Sequence, residues 1–191
     1  MYQILNKNTF SLGNYKIVPF RKEDLYLIKD WRNTQIDILR QAHPLTDQDQ
    51  LHYYTHTILP SFIQKEPKIL LFSYLLNDVC IGYGGLVHTD FTSKRAEVSF
   101  LAATERTKNT VIYETDFTNF LALIKMVAFE DLKLNRLCGE TYDIRPLHIA
   151  ILEKSGFVLE GRMREYVLIN NVFVDSLIHG YLKKEYEANK L

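Results

Sequence analysis

The stretch IAILEKSGFVLEGRMREYV, residues 149–167, constrains the fold more than any other part of the chain. Pro146 opens an apolar helix that runs to Lys154, because a helix does not need the N–H of its first residue. Gly156 can take the left-handed conformation that ends such a helix. With Ser155 as C-cap, Phe157 falls where a Schellman stop packs its next apolar residue back on Leu152. The residues beyond alternate charged and apolar, the period of a strand. A helix halted this sharply against a strand belongs to a chain that lays helices across a sheet.

The other segments read the same way. Residues 15–19 form a short strand. Residues 23–32 carry Leu25, Leu27, Ile28 and Trp31 at helical spacing, and 47–58, after Pro44, form a second, more polar helix. Strands at 69–76 and 79–86 flank Asn77-Asp78, whose residue types tolerate positive φ, so they form a hairpin. A third strand spans 95–101. Residues 116–132 set Phe117, Phe120, Leu121, Ile124, Val127, Ala128 and Leu132 on one helical stripe. A strand at 136–142 precedes the quoted helix, and strands at 162–169 and 172–181 flank Asn170-Asn171 as a second hairpin.

With 47% hydrophobic and 24% charged residues, the 191-residue chain can bury one core without disulfide or metal staples, and we read residues 1–191 as a single domain. Lys+Arg and Asp+Glu are equal at 23 each, so no net field draws the chain to nucleic acid or to an anionic membrane. Cys80 and Cys138 lack metal-ligand spacing and sit in apolar runs, which suits buried thiols in a reducing compartment. No leader pattern and no long apolar run is present, so a cytoplasmic location is expected. The histidines show no metal spacing, and no metal is expected; His148 and His179 read as packing or surface residues.

The order strand, two helices, three strands, helix, strand, helix, two strands resembles the GNAT (Gcn5-related N-acetyltransferase) fold. The resemblance becomes specific at Glu153-Lys154-Ser155-Gly156-Phe157 followed by Glu160-Gly161-Arg162. That pattern is similar to the group containing ribosomal-protein alanine acetyltransferases and flagellin-sugar N-acetyltransferases. AFEDLKLNRL at 128–137, Trp31-Arg32-Asn33 and VFVDSLIHGYLKKEY resemble other segments of the group. The resemblance implies an α/β (α+β) fold with a mixed, mostly antiparallel sheet of about seven strands. That sheet would be splayed in the middle and flanked by about four helices.

It also implies a co-substrate, acetyl-coenzyme A, entering the gap between the third middle strand and the next. Strand backbone would pair with pantetheine, and loop and helix N-terminal amides would meet the pyrophosphate. An amine would attack the thioester directly once a base has taken its proton, with backbone donors stabilising the oxyanion. Carried onto this chain, the backbone of Leu101, Ala102 and Ala103 and Arg145 at the head of the next helix fall at the coenzyme, while Arg106, Lys108 and Asn109 in the polar stretch 104–110 offer replacement phosphate contacts where the family's glycine loop is absent. Glu97 is the implied general base; Val98 and Phe100 set the pleat so that Glu97 and Ser99 share the opposite face. Trp31, Arg32, Asn33, Tyr83 and Tyr142 line the implied acceptor pocket, with Arg40 placed to read an anionic acceptor.

The chain departs from the family at two places. The pattern Arg/Gln-x-x-Gly-x-Gly/Ala, expected just before the long helix, is replaced at its positions by Ile112, Thr115 and Phe117, and no glycine lies between Gly85 and Gly139. Leu152 stands where many relatives carry the Tyr that protonates the leaving thiolate. Two functions therefore fit the sequence. One is an N-acetyltransferase acting on a primary amine: an amino sugar, a small amine or a protein N-terminus. The other is a catalytically inactive GNAT-like binding or assembly protein with a degenerate coenzyme A site. Strand edges at the splay are compatible with a homodimer.

Overall fold

The computed structural model describes residues 1–189. The chain begins with β1 (Phe10–Leu12) and β2 (Tyr15–Pro19), then α1 (Leu25–Thr34) and α2 (Asp47–Tyr53), which widens through a π turn at Tyr54–Ile58 into α3 (Leu59–Ser61). Next come β3 (Leu70–Leu76), β4 (Val79–Asp90), β5 (Arg95–Ala102), α4 (Thr104–Thr107) and α5 (Thr110–Lys125), which ends in a π turn over Met126–Asp131. The remaining elements are β6 (Arg136–Tyr142), α6 (Pro146–Lys154), β7 (Val158–Ile169), β8 (Val172–Leu182) and α7 (Lys183–Ala188). Among the described residues the strands form one eight-stranded sheet in the order β1-β2-β3-β4-β5-β6-β8-β7. All neighbours are antiparallel except β5 and β6.

Local chemistry accounts for the turns. Asn77 and Asp78 take φ of 49° and 68°, and Asn170 and Asn171 take 49° and 63°, the paired left-handed conformation of a tight hairpin turn. At the end of α6, the N–H of Gly156 donates to Glu153 O at 2.9 Å and that of Phe157 to Leu152 O at 3.1 Å, a Schellman stop, with Gly156 at φ 91°.

Two approximate counts are sharpened and one boundary is corrected. The sheet has eight strands rather than about seven, because three residues, Phe10–Leu12, pair with β2 around a turn at Gly13 and are too short to show a period. The helices exceed the expected four, since α3, α4 and α7 are single short turns or little more. The long helix starts at Thr110, six positions before the expected 116: the Asn109 side chain accepts from Ile112 N at 3.0 Å and caps a turn that reads as polar loop. Ile112, Thr115 and Phe117 therefore lie inside α5 rather than in a loop ahead of it.

The sheet is covered on both faces. Phe100, Phe117, Phe120, Ile124 and Leu137 belong to the core under α5 and α6, where the rings of Phe100 and Phe117 stack with centroids 4.7 Å apart. Phe20, Leu25, Ile28, Ile58, Leu71 and Leu101 form a second core under α1 and α2. Full burial of one such side chain is worth about 1.5–3 kcal/mol, so each face holds its helices firmly. Phe100 and Leu101 point to opposite cores, which assigns Glu97 and Ser99 to the α1–α2 face.

Candidate active site at the splayed strands

β5 and β6 pair only through Arg95 with Arg136, Ala96 with Leu137, and Glu97 with Cys138. Beyond that rung each strand follows its own antiparallel neighbour: β5 stays with β4 as far as Ala102, and β6 stays with β8 through Tyr142. The carboxyl ends of the parallel pair thus diverge, the place where open sheets with parallel strands take ligands. Leu101, Ala102 and Ala103 lie on the open stretch; Leu101 also packs in the second core, Gln35 Nε2 donates to Ala102 O at 3.0 Å, and Ala103 N donates to Ile81 O at 2.8 Å.

α5 and α6 start just past these strand ends, and side chains from their first turns meet above the splay. Arg145 Nη2 donates to Tyr113 Oη at 3.1 Å, and Tyr113 Oη lies 2.8 Å from His148 Nδ1. Arg145 can only donate, so the phenol oxygen accepts from it, and one further hydrogen bond joins the phenol to Nδ1, its direction set by the imidazole tautomer. Burial, then the charge of Arg145, holds His148 well below its ordinary pKa and so neutral. Burial raises Tyr113, with Arg145 opposing. Arg145, Tyr113, His148, Gln35, Ile38 and Thr107 are among the residues lining a cavity of about 400 Å³.

The α1–α2 side of the splay is acidic. Arg40 Nη2 lies 3.1 Å from Glu97 Oε1 and 2.7 Å from Glu140 Oε2, and Ser176 Oγ donates to Glu140 Oε1 at 3.0 Å. Tyr142 is raised by burial, against the nearby Arg40 charge, and lines a second cavity of about 450 Å³ with Arg40, Leu39 and Val167–Asn170 of the last hairpin. Burial pushes up the thiol of Cys138, the partner of Glu97 on the last rung.

Other sequence-derived positions are occupied by the fold. The Arg106 guanidinium is met by buried Asp116, at 2.5 and 2.9 Å. Lys108 pairs with Glu105 on the exposed surface at 2.8 Å, and Asn109 caps α5. Trp31 packs against the second core. Arg32 donates to Gln41 Oε1 at 3.0 Å and to the Tyr83 hydroxyl, and Asn33 receives Leu45 N at 2.7 Å and donates to Leu45 O at 2.8 Å. The Arg-Asn pair thus ties down the loop after α1, while Arg32 and Tyr83 border a separate cavity of about 260 Å³. Glu140, Ser176 and Tyr113 were not singled out by sequence reasoning, and His148 was read as a packing or surface residue. Glu140 carried a signal, since it alternates with Cys138 and Tyr142 on one strand face; Tyr113 meets His148 only through the packing of two helices.

The acetyltransferase (GNAT) domain profile matches residues 17–178. The chain belongs to the GNAT acetyltransferase family. It is an acyltransferase, and the family's reaction moves an acetyl group from acetyl-coenzyme A to an amine. A putative ribosomal N-acetyltransferase, YdaF of Bacillus subtilis (strain 168), is 26% identical over 141 residues, 72% of this chain and 73% of that protein. Among solved structures, the spermidine N-acetyltransferase of Vibrio cholerae in complex with CoA and spermine superposes with a TM-score of 0.78 at 18% identity, covering 92% of this chain and 99% of that one. A probable GNAT-family acetyltransferase of Chromobacterium violaceum gives 0.74 at 13% identity, covering 94% and 88%.

Coenzyme A fits the residues present. Beyond Glu97 and Cys138 the facing edges of β5 and β6 no longer pair with each other. The 400 Å³ cavity is lined by Gln35, which donates to Ala102 O, and by Arg145, which is held there by a neutral phenol rather than by a carboxylate. Among the described residues no cluster of three or more His, Cys, Asp or Glu could hold a metal ion, and no helix is long and apolar enough to cross a membrane.

Proposed function

We propose that the protein acetylates a primary amine that reaches the splay from the α1–α2 side, by direct attack on the thioester of acetyl-coenzyme A. The observation that carries this reading is the position of Glu97, on the last shared rung of β5 and β6, with its carboxylate on the acidic side of the gap. Bound acetyl-coenzyme A supplies the activated acyl group. The backbone at Leu101, Ala102 and Ala103, past the last shared rung, runs beside its pantetheine arm; Arg145 and the first amides of α5 beyond Asn109 attract its phosphates. Glu97 takes the ammonium proton through a bridging water, and Tyr142 and Arg40 border the entering acceptor. Leu152, packed in the core, holds no proton for the leaving thiolate, so water is its donor in this scheme.

The acceptor class follows from charge. One guanidinium, Arg40, faces two carboxylates, Glu97 and Glu140, so the site attracts a cation rather than the phosphates of a nucleotide-linked sugar. A small cationic amine or a protein N-terminus suits it better.

Glu97→Gln tests the reading. Loss of one general base lowers turnover by roughly 10²–10⁴-fold and leaves coenzyme binding intact. A variant that keeps the wild-type rate and pH profile ends the assignment. A thermal-shift series with coenzyme A checks the other half, since a ligand at a hundred times its Kd adds about 2.7 kcal/mol of stability.

A further inference from the structure

We infer that Arg40 is a displaceable plug: its guanidinium holds the place between Glu97 and Glu140 that the acceptor's ammonium takes during turnover. The inference rests on the proposed acetyl transfer at Glu97 and adds how the acceptor is chosen and how the base is released.

Glu97 comes from β5 and Glu140 from β6, and the two strands share no rung beyond Glu97 and Cys138. Arg40 therefore bridges the mouth of the gap where backbone pairing has ended. The two carboxylates are the more buried partners and the arginine the more exposed one. Ser176 orients Glu140 from β8, and the Glu97 and Glu140 side chains are 19% and 13% exposed, whereas that of Arg40 is 45% exposed. The backbone around Arg40 is anchored separately, by Gln35 on Ala102 and Thr104 before it and by Asn33 on Leu45 after it. The side chain can thus leave for solvent without moving the loop, and ion pairs with an exposed partner contribute little. Arg40 and Tyr142 line the 450 Å³ cavity, so an incoming molecule can reach the Arg40 side chain from there.

Exchanging one cation for another keeps the charge balance, so an alkylammonium acceptor can displace Arg40. An anionic acceptor would leave two carboxylates facing a third negative charge. Displacement also frees Glu97 from its ion pair as the amine arrives, which couples acceptor binding to release of the base. The proton then passes from the ammonium to Glu97, and the free amine attacks.

The test is isothermal titration of 1,4-diaminobutane into the wild-type protein, Arg40→Ala, Arg40→Met and the double variant Arg40→Ala, Glu140→Gln. The plug predicts about tenfold tighter binding when Arg40 is removed, in both single variants, and loss of that gain in the double variant. Binding that is unchanged, weaker or absent in both single variants overturns it. Acetylation of the same diamine, followed by free-thiol release, is scored separately. A wild-type protein that binds the diamine more tightly without Arg40 but acetylates no amine would overturn the proposed reaction and leave the plug standing. A protein that acetylates the diamine with binding indifferent to Arg40 would do the reverse.

Discussion

Arg106 and Asp116 form a bidentate pair, Nε and Nη2 lying 2.5 and 2.9 Å from the two carboxylate oxygens, with Tyr15 Oη donating to the same carboxylate at 3.1 Å. The Asp116 side chain is fully buried, so the pair fastens the short helix after β5 to the second turn of α5. Removing one partner of a buried pair strands the other charge. Arg106→Ala should cost roughly 3–5 kcal/mol in urea unfolding, and adding Asp116→Leu should recover part of it. A single-variant loss below about 1 kcal/mol would show the pair to be well solvated.

Gly156 sits at φ 91°, and a Cβ there would lie 2.8 Å from Tyr181 Cε2. Gly156→Val meets both the left-handed backbone penalty and a ring packed in the core, and should destabilise by at least roughly 1–2 kcal/mol. A lowered urea midpoint with an unchanged slope is the expected result; an unchanged midpoint would mean that the α6 stop tolerates a side chain.

Lys125 is buried beneath the same stop. Its Nζ donates to Ser155 O at 2.5 Å and lies 4.0 Å from the Tyr181 ring centroid, and burial brings its pKa down to about 8 from 10.5. Between those values the unfolded chain binds more protons than the folded one. The penalty for burying the ammonium is therefore complete below pH 8 and fades as pH rises to 10.5. Stability of the wild type relative to Lys125→Met should grow from pH 8 to pH 10. A difference that stays flat over this window would show that the ring and the Ser155 carbonyl keep the charged form as stable as water does.

Arg145 is the guanidinium at the cavity proposed for the coenzyme, and the fold leaves it to a neutral phenol. Arg145→Ala should weaken coenzyme A binding by about tenfold or more, in line with the loss of a charge-assisted hydrogen bond worth about 1.5–3 kcal/mol. Dephospho-coenzyme A and pantetheine, compared by titration, would tell which phosphate it meets. Equal affinity of wild type and variant for all three would remove Arg145 from the site.

Much of this architecture is determined by the chain's local patterns. Pro146 and Gly156 bound α6, the pairs Asn77-Asp78 and Asn170-Asn171 make the hairpin turns, and the stripe from Phe117 to Ile124 faces the sheet, because each depends on residues a few positions apart. β1 escaped because three residues define no period, and the start of α5 escaped because Asn109 caps a turn that looks like solvated loop. The site was only partly legible. The family resemblance put Glu97 on the strand beside the expected gap and Arg145 at the head of a helix, but a guanidinium shared by Glu97 and Glu140, a carboxylate buried under Arg106 and a phenol held between Arg145 and His148 were not legible. Those pairings join residues 10 to 100 positions apart, and whether a charge meets a partner or a ligand is decided by which faces the packed sheet and helices bring together.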